Sequence, residues 1–278
     1  MNRINKSIYL LLKGYNKQFY CKFHGSGDPG NLWYTFYFGG KSTYCITIAM
    51  KGNPPTEAYM SRVEYDAKCI KDAPLEKNGG TAKLLSISLW VIKTFFPSIE
   101  KITFMDDSHI ECIQGSKLKK MSLACDYMLK YGMTWYEKLF HATLPDDLNP
   151  RYKSSLPVLE QPLEDFEYQV GQLPSLEKYK DKYLVSTSPK HFFEQLRKQY
   201  GSNYCEEVCN WIHMYIRLLN VDWSNSNWFI PAETIVKPPG FSMGRVENPF
   251  KGGKYTRKRR KSLKYDVPSI GSYEGNFI

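Results

Sequence analysis

Three groups of reactive side chains stand out in this sequence. Asp106, Asp107, His109, Glu111 and Cys112 fall within seven residues of one another. Carboxylates, imidazole and thiol together can move protons or ligate a metal. No second carboxylate or histidine is placed by the sequence to complete such a site. The same residues suit a polar strand exit in which aspartate caps backbone groups, and that reading is adopted. Cys205, Cys209 and His213 stand at i, i+4 and i+8 and share one face if the segment is helical. A structural zinc site takes four ligands, and the first and third of these lie two turns, roughly 12 Å, apart. Core cysteines and no metal are expected. The third group is basic. Residues 251–264 hold Lys251, Lys254, Arg257, Lys258, Arg259, Arg260, Lys261 and Lys264 and no acid. No Ser-His-Asp or Cys-His arrangement has recognisable context.

That basic run changes the meaning of the total charge. The 278 residues carry a formal net charge of +10, and the eight tail cations leave only +2 for everything else. No basic face is therefore expected on the folded body, and an electrostatic partner is recruited through the tail. Tyr255 within the run favours a contact with other protein chains, with nucleic acid as a second partner of the same residues. Aromatic residues make up 15%, with 21 Tyr and 15 Phe, a composition that leans toward sheet. No run reaches the roughly 18 apolar residues of a membrane span. Arg3 and Lys6 precede a short apolar stretch at 8–12 that Lys13 ends. It is shorter than the h-region of a signal peptide and reads as a first strand. Seven cysteines without framework spacing suggest free thiols in a reducing, intracellular compartment rather than a secreted protein.

The elements that must position these groups follow from periodicity. Segments 8–12, 18–23, 32–38, 43–50 and 59–69 read as strands, separated by turn signals at 25–30, 39–40 and 52–55. After Asn78, Gly79 and Gly80 the apolar positions Leu84, Leu85, Leu89, Ile92, Phe95 and Phe96 take helical spacing, and Pro97 stops the helix. A short strand at 99–105 completes a parallel crossover unit. Helices are expected at 118–131 and 135–140. Prolines and charges from 146 to 184 suggest a linker. Ser188, Pro189 and Gly201 bracket a helix, and Asn203 starts another whose apolar stripe runs to Leu219.

The crossover unit carries a resemblance. The segment Lys77, Asn78, Gly79, Gly80, Thr81, Ala82 resembles the Arg/Gln-x-x-Gly-x-Gly/Ala loop of GNAT acyltransferases, with Lys in the first place. In that family the loop holds the pyrophosphate of coenzyme A, because small residues let backbone N–H groups and the helix dipole meet phosphate. The segment from Thr134 to His141 is similar to the Tyr-Glu-Lys-Leu-Gly-Phe segment of the family. That likeness implies Tyr136 as general acid toward the leaving thiolate. The resemblance covers about residues 30–145. It departs in the missing Arg or Gln, in the little room for two helices before Leu32, and in an extra helix before Tyr136, so the chemistry is expected to be degenerate. The segments 104–112 and 131–137 further resemble proteins of large icosahedral DNA viruses that infect chlorella and amoebae.

Together these readings give an α/β (α+β) chain. A GNAT-like central mixed sheet flanked by helices spans 1–145, then a linker at 146–184, a smaller helical region at 185–230 and an irregular extension at 231–278. The resemblances imply a minor capsid protein of a large double-stranded DNA virus, assembled in the host cytoplasm. Its partners would be other capsid proteins, reached through Lys254, Tyr255, Arg257, Lys258, Arg259, Arg260, Lys261 and Lys264. No cofactor is expected. The alternative is an active N-acetyltransferase using acetyl-CoA.

Overall fold

Alternation at period two decides the amino-terminal half. In β1 (Ile4–Gly14), β2 (Lys17–Asp28), β3 (Asn31–Gly39), β4 (Tyr44–Lys51) and β5 (Glu57–Val63), each strand pairs antiparallel with the next. The computed structural model describes residues 4–247 except 29, 42, 64–68, 70–72, 74, 76–78, 107, 115–116, 222 and 224–225. Phe19, Cys21 and Phe23 of β2 are buried, as are Leu32, Tyr34, Phe36 and Phe38 of β3 and Ile46, Ile48 and Met50 of β4. Tyr15 and Asn16, with φ of 52° and 59°, make the two-residue turn between β1 and β2.

Helix α1 (Gly80–Phe95) covers the buried side of this sheet. Its end meets an aromatic cluster in which Phe36 lies 4.6 Å from Phe23 and 5.7 Å from Phe95, ring centre to ring centre. Gly14 permits the approach, since a Cβ there would stand 2.8 Å from Ile87 Cδ1. Beyond Pro97, β6 (Lys101–Met105) pairs parallel with β5. The strand–helix–strand crossover expected from the glycine turn and the helical spacing is therefore present. With β9 (Asn227–Pro231) and β10 (Ser242–Val246), the mixed sheet runs β10-β1-β2-β3-β4-β5-β6-β9. The fold is mixed α+β. Strand β10 lies in the extension after 231, which is expected from sequence to be irregular; it pairs antiparallel with β1.

The chain divides into two compact units, one of residues 1–104 with 230–278 and one of residues 105–229. The second holds a two-stranded sheet of β7 (His109–Gln114) and β8 (Lys117–Ser122), then α2 (Leu123–Tyr131) and α3 (Trp135–Phe140). The helix expected from 118 starts only at Leu123, because 117–122 pair with β7 and Ser122 caps α2 by accepting from Cys125 N at 3.3 Å.

Residues 146–184, read as a linker, are folded. They form α4 (Asn149–Ser155), α5 (Phe166–Gln172), α6 (Lys180–Leu184) and two 3-10 turns, and bury Tyr152, Leu159, Phe166, Leu176 and Tyr183. α7 (Pro189–Tyr200) has the expected Ser188 cap. The helix expected over 203–219 is broken into α8 (Tyr204–Val208) and α9 (Ile212–Leu218), with Trp211 N donating back to Val208 O across the break. Phe193 packs 5.3 Å from Trp211 and 5.2 Å from Tyr215 at the centre of this unit.

The free-thiol expectation is corrected. Cys45 pairs with Cys69 and Cys112 with Cys205, each with Cα atoms 5.6 Å apart, and Cys21, Cys125 and Cys209 are buried outside these bridges. That Cα spacing is what a disulfide needs.

Candidate functional site

The glycine loop proposed to cradle phosphate is only partly within view: Lys77 and Asn78 lie outside the described residues, as does the basic tail. Gly79 caps α1 with φ 79°, a left-handed conformation that glycine adopts without strain, and a Cβ there would meet nothing. Gly80 is buried, and its Cβ would come within 3.0 Å of the Leu75 backbone carbon. Each glycine thus has a local reason: Gly79 for its backbone angle and Gly80 for a close approach of chain to chain. Thr81 and Ala82 are half-buried in the first turn, which contains no acid.

Tyr136 belongs to the other compact unit. It is held by α3, whose start is fixed by a capping box. Thr134 Oγ1 accepts from Glu137 N at 3.2 Å, and Glu137 Oε2 accepts from Thr134 N at 2.8 Å. Tyr136 itself is 4% exposed, with the Trp135 ring edge-on at 4.8 Å. Burial, and secondly the Asp106 carboxylate, push its hydroxyl well above the ordinary tyrosine range.

Within the acidic cluster the side chain of Glu111 is not among those described. Asp106 accepts through Oδ1 from the Ser108 N–H at 3.2 Å and from the Ser108 hydroxyl, which is the capping geometry expected of a strand exit. Asp107 is outside the described residues. Cys112 is tied to Cys205, and the break at 209–211 interrupts the helical face expected to align Cys205, Cys209 and His213. Among the described residues no group of three or more His, Cys, Asp or Glu could hold a metal.

Glu137, a heavily bonded carboxylate, is absent from the residues that sequence patterns single out. Besides its cap, Oε2 accepts from the Tyr152 hydroxyl, and Oε1 lies 2.9 Å from Lys153 Nζ. Thr134 and Glu137, three apart, carry the signal for the cap; Tyr152 and Lys153 sit in the segment read as a linker. A carboxylate with its acceptor sites engaged in this way is a structural clasp, with little freedom left for a reaction. A shallow cleft of about 450 Å³ lies elsewhere in this unit, lined by Pro174, Glu177, Lys178, Tyr179, Glu207 and Trp211. Its polar groups are largely engaged with one another. Lys178 pairs with Glu207, and the Glu207 carbonyl accepts from Tyr179 OH at 3.1 Å and Trp211 Nε1 at 3.0 Å.

Neither a protein-family model, nor a curated protein, nor a solved structure matches the chain. The mixed α+β sheet with its parallel crossover is what the fold itself defines. Among the described residues no helix is long and apolar enough to cross a membrane.

Proposed function

We propose that this protein is a non-catalytic structural component, a minor capsid protein of a large DNA virus on an acyltransferase-like scaffold. The observation that carries the non-catalytic part is the burial of Tyr136 among Trp135 and Phe140. A general acid must touch the leaving group, and this hydroxyl is packed into its own unit. Gly80 supports the same reading, since contact with Leu75 already accounts for it. The surface supports a protein partner. Met214 and Leu218, 50% and 41% exposed, are one turn apart on α9. Methionine is enriched at protein interfaces relative to the rest of the surface. The virion placement rests on the likeness of segments 104–112 and 131–137 to viral proteins.

The experiment has two arms. Millimolar acetyl-CoA should leave the melting temperature unchanged, whereas a ligand that binds the folded state raises it. A clear shift that disappears in Gly80→Phe would favour the acetyltransferase instead. Chain truncated after Pro249 should fold yet fail to enter particles; normal incorporation would remove the tail from this role.

A further inference from the structure

The strands that bury Phe, Leu and Ile against α1 present a different set of side chains on their other face. There rings alternate with cations. Lys22 Nζ lies 5.6 Å from the Tyr37 ring centre, Lys51 Nζ 5.3 Å from Trp33, and Lys41 Nζ 5.9 Å from Tyr20. The register sets Tyr9, Lys22, Tyr37 and Thr47 side by side across four strands, so one cation stands between two rings. Trp33 keeps 47% of its surface exposed. Among the described residues the carboxylates of this face are marginal: Asp28 ends β2, and Glu57 lies 2.8 Å from Lys101 Nζ.

We propose that this open sheet face binds single-stranded nucleic acid, with bases stacked on Trp33 and Tyr37 and phosphates beside Lys22 and Lys51. Every base offers a π-face to an exposed ring, and cations beside the rings meet the backbone charge. Width argues against a duplex. Five strands at about 4.8 Å spacing make a surface roughly 19 Å across, whereas the major groove is about 12 Å wide and admits a helix or a two-stranded ribbon. An unstacked strand laid across the sheet meets no such limit. Lysine is depleted at protein interfaces, and the positions between these rings are Thr35, Thr47 and lysines, with Ala49 opposite Thr35. Eight of the ten net charges sit in the tail, so the total gave no hint of a local basic face.

The test uses the full chain and labelled oligo(dT) or oligo(U) of about 20 nucleotides, with fluorescence anisotropy as the readout. Trp33→Ala and Tyr37→Ala should each weaken binding roughly 10-fold, within the range stacking contributes per base. Trp33→Phe should stay within about 3-fold of the parent, since a ring is kept. Lys22→Gln and Lys51→Gln should each lower the salt slope by about 0.7. Melting temperatures serve as the control for folding, and the lysine variants give an independent readout should a ring variant be destabilised. Three outcomes overturn the proposal. The first is a same-length duplex that binds as tightly as the single strand. The second is oligonucleotide affinity that survives the ring and lysine changes but vanishes on Arg257→Gln, Arg259→Gln and Arg260→Gln, which assigns it to the tail. The third is loss of a protein partner by the face variants while oligonucleotide affinity is unchanged.

Discussion

The sheet unit and the helical unit are each held together by contacts of different reach. In the sheet unit β3 is paired along its length with both β2 and β4, and its inward rings repeat every second residue. Each side chain there is one member of a repeating set. In the helical unit α3, α4, α5 and α6 have six, seven, seven and five residues, too few to be stable alone. The unit is joined by individual ties between distant positions: Glu137 of α3 to Tyr152 and Lys153 of α4, Arg197 to Asp126 at 2.8 Å, and Cys112 to Cys205 across 93 residues. A repeating contact tolerates the loss of one member better than a set of single ties does.

The largest test of that contrast is Glu137→Ala. It removes the acceptor of the α3 cap and leaves the buried Tyr152 hydroxyl without the carboxylate, while Lys153, 56% exposed, turns to water at little cost. Losing a cap costs about 0.5–2 kcal/mol and unpairing a buried hydroxyl about 1–3 kcal/mol, so urea unfolding should show a loss of about 2–4 kcal/mol. An exposed-face change in the sheet unit, such as Thr35→Ala, should stay within about 0.5 kcal/mol. Equal losses from the two would dissolve the distinction.

The two disulfides sharpen it by a smaller amount. Cys45 and Cys69 are 24 residues apart, and Cys112 and Cys205 are 93 apart. Closing the longer loop removes more entropy from the unfolded chain, by about 1 kcal/mol on the logarithmic loop model, within a total of about 2–5 kcal/mol per bridge. Cys205→Ser should therefore destabilise more than Cys69→Ser when the two oxidised variants are melted side by side. The reverse order, or no effect of dithiothreitol on the parent, would count against the assignment of these pairs.

The same contrast explains what the sequence discloses. The strands of the sheet unit repeat at period two, and α1 repeats at helical spacing between Gly80 and Pro97, so both are legible in the order of residues alone. The ties are not. Cys112 and Cys205 carry no mark of their pairing at that separation, and Tyr152, Phe166 and Tyr183 are too irregularly spaced to reveal a core within 146–184. Residues 117–122 mislead because Lys117, Lys119 and Lys120 are good helix formers, and pairing with β7 overrides that preference. The reason for Gly80 lies in the backbone of Leu75, which no glycine motif discloses. The ring-and-lysine face is present in the alternation of β2 and β3. The net charge of the body, averaged over every surface, conceals it.

The smallest effect expected is alkaline, and it places one tyrosine of each unit in parallel. Tyr44 in the sheet unit has its pKa raised to about 12, chiefly by burial and further by Tyr9, Cys21 and Tyr37. Tyr183 in the helical unit is also raised to about 12, by burial and then by Glu164 and Asp165. An unfolded tyrosine ionises near pH 10. Folding keeps each hydroxyl protonated above that pH, so the folded state binds more protons and stability falls as pH rises. The contribution is whole below pH 10 and is lost progressively toward pH 12. Melting temperatures measured from pH 9 to pH 11 should therefore decline, and Tyr44→Phe or Tyr183→Phe should each flatten part of the decline. The helical variant carries an added cost at every pH, because Tyr183 OH donates to the Glu164 carbonyl at 3.0 Å and phenylalanine leaves that acceptor without its bond. Tyr44→Phe keeps the ring, which lies 5.1 Å from Tyr37 on a half-exposed sheet position. Parallel curves for the parent and both variants would show that neither hydroxyl links folding to alkaline pH.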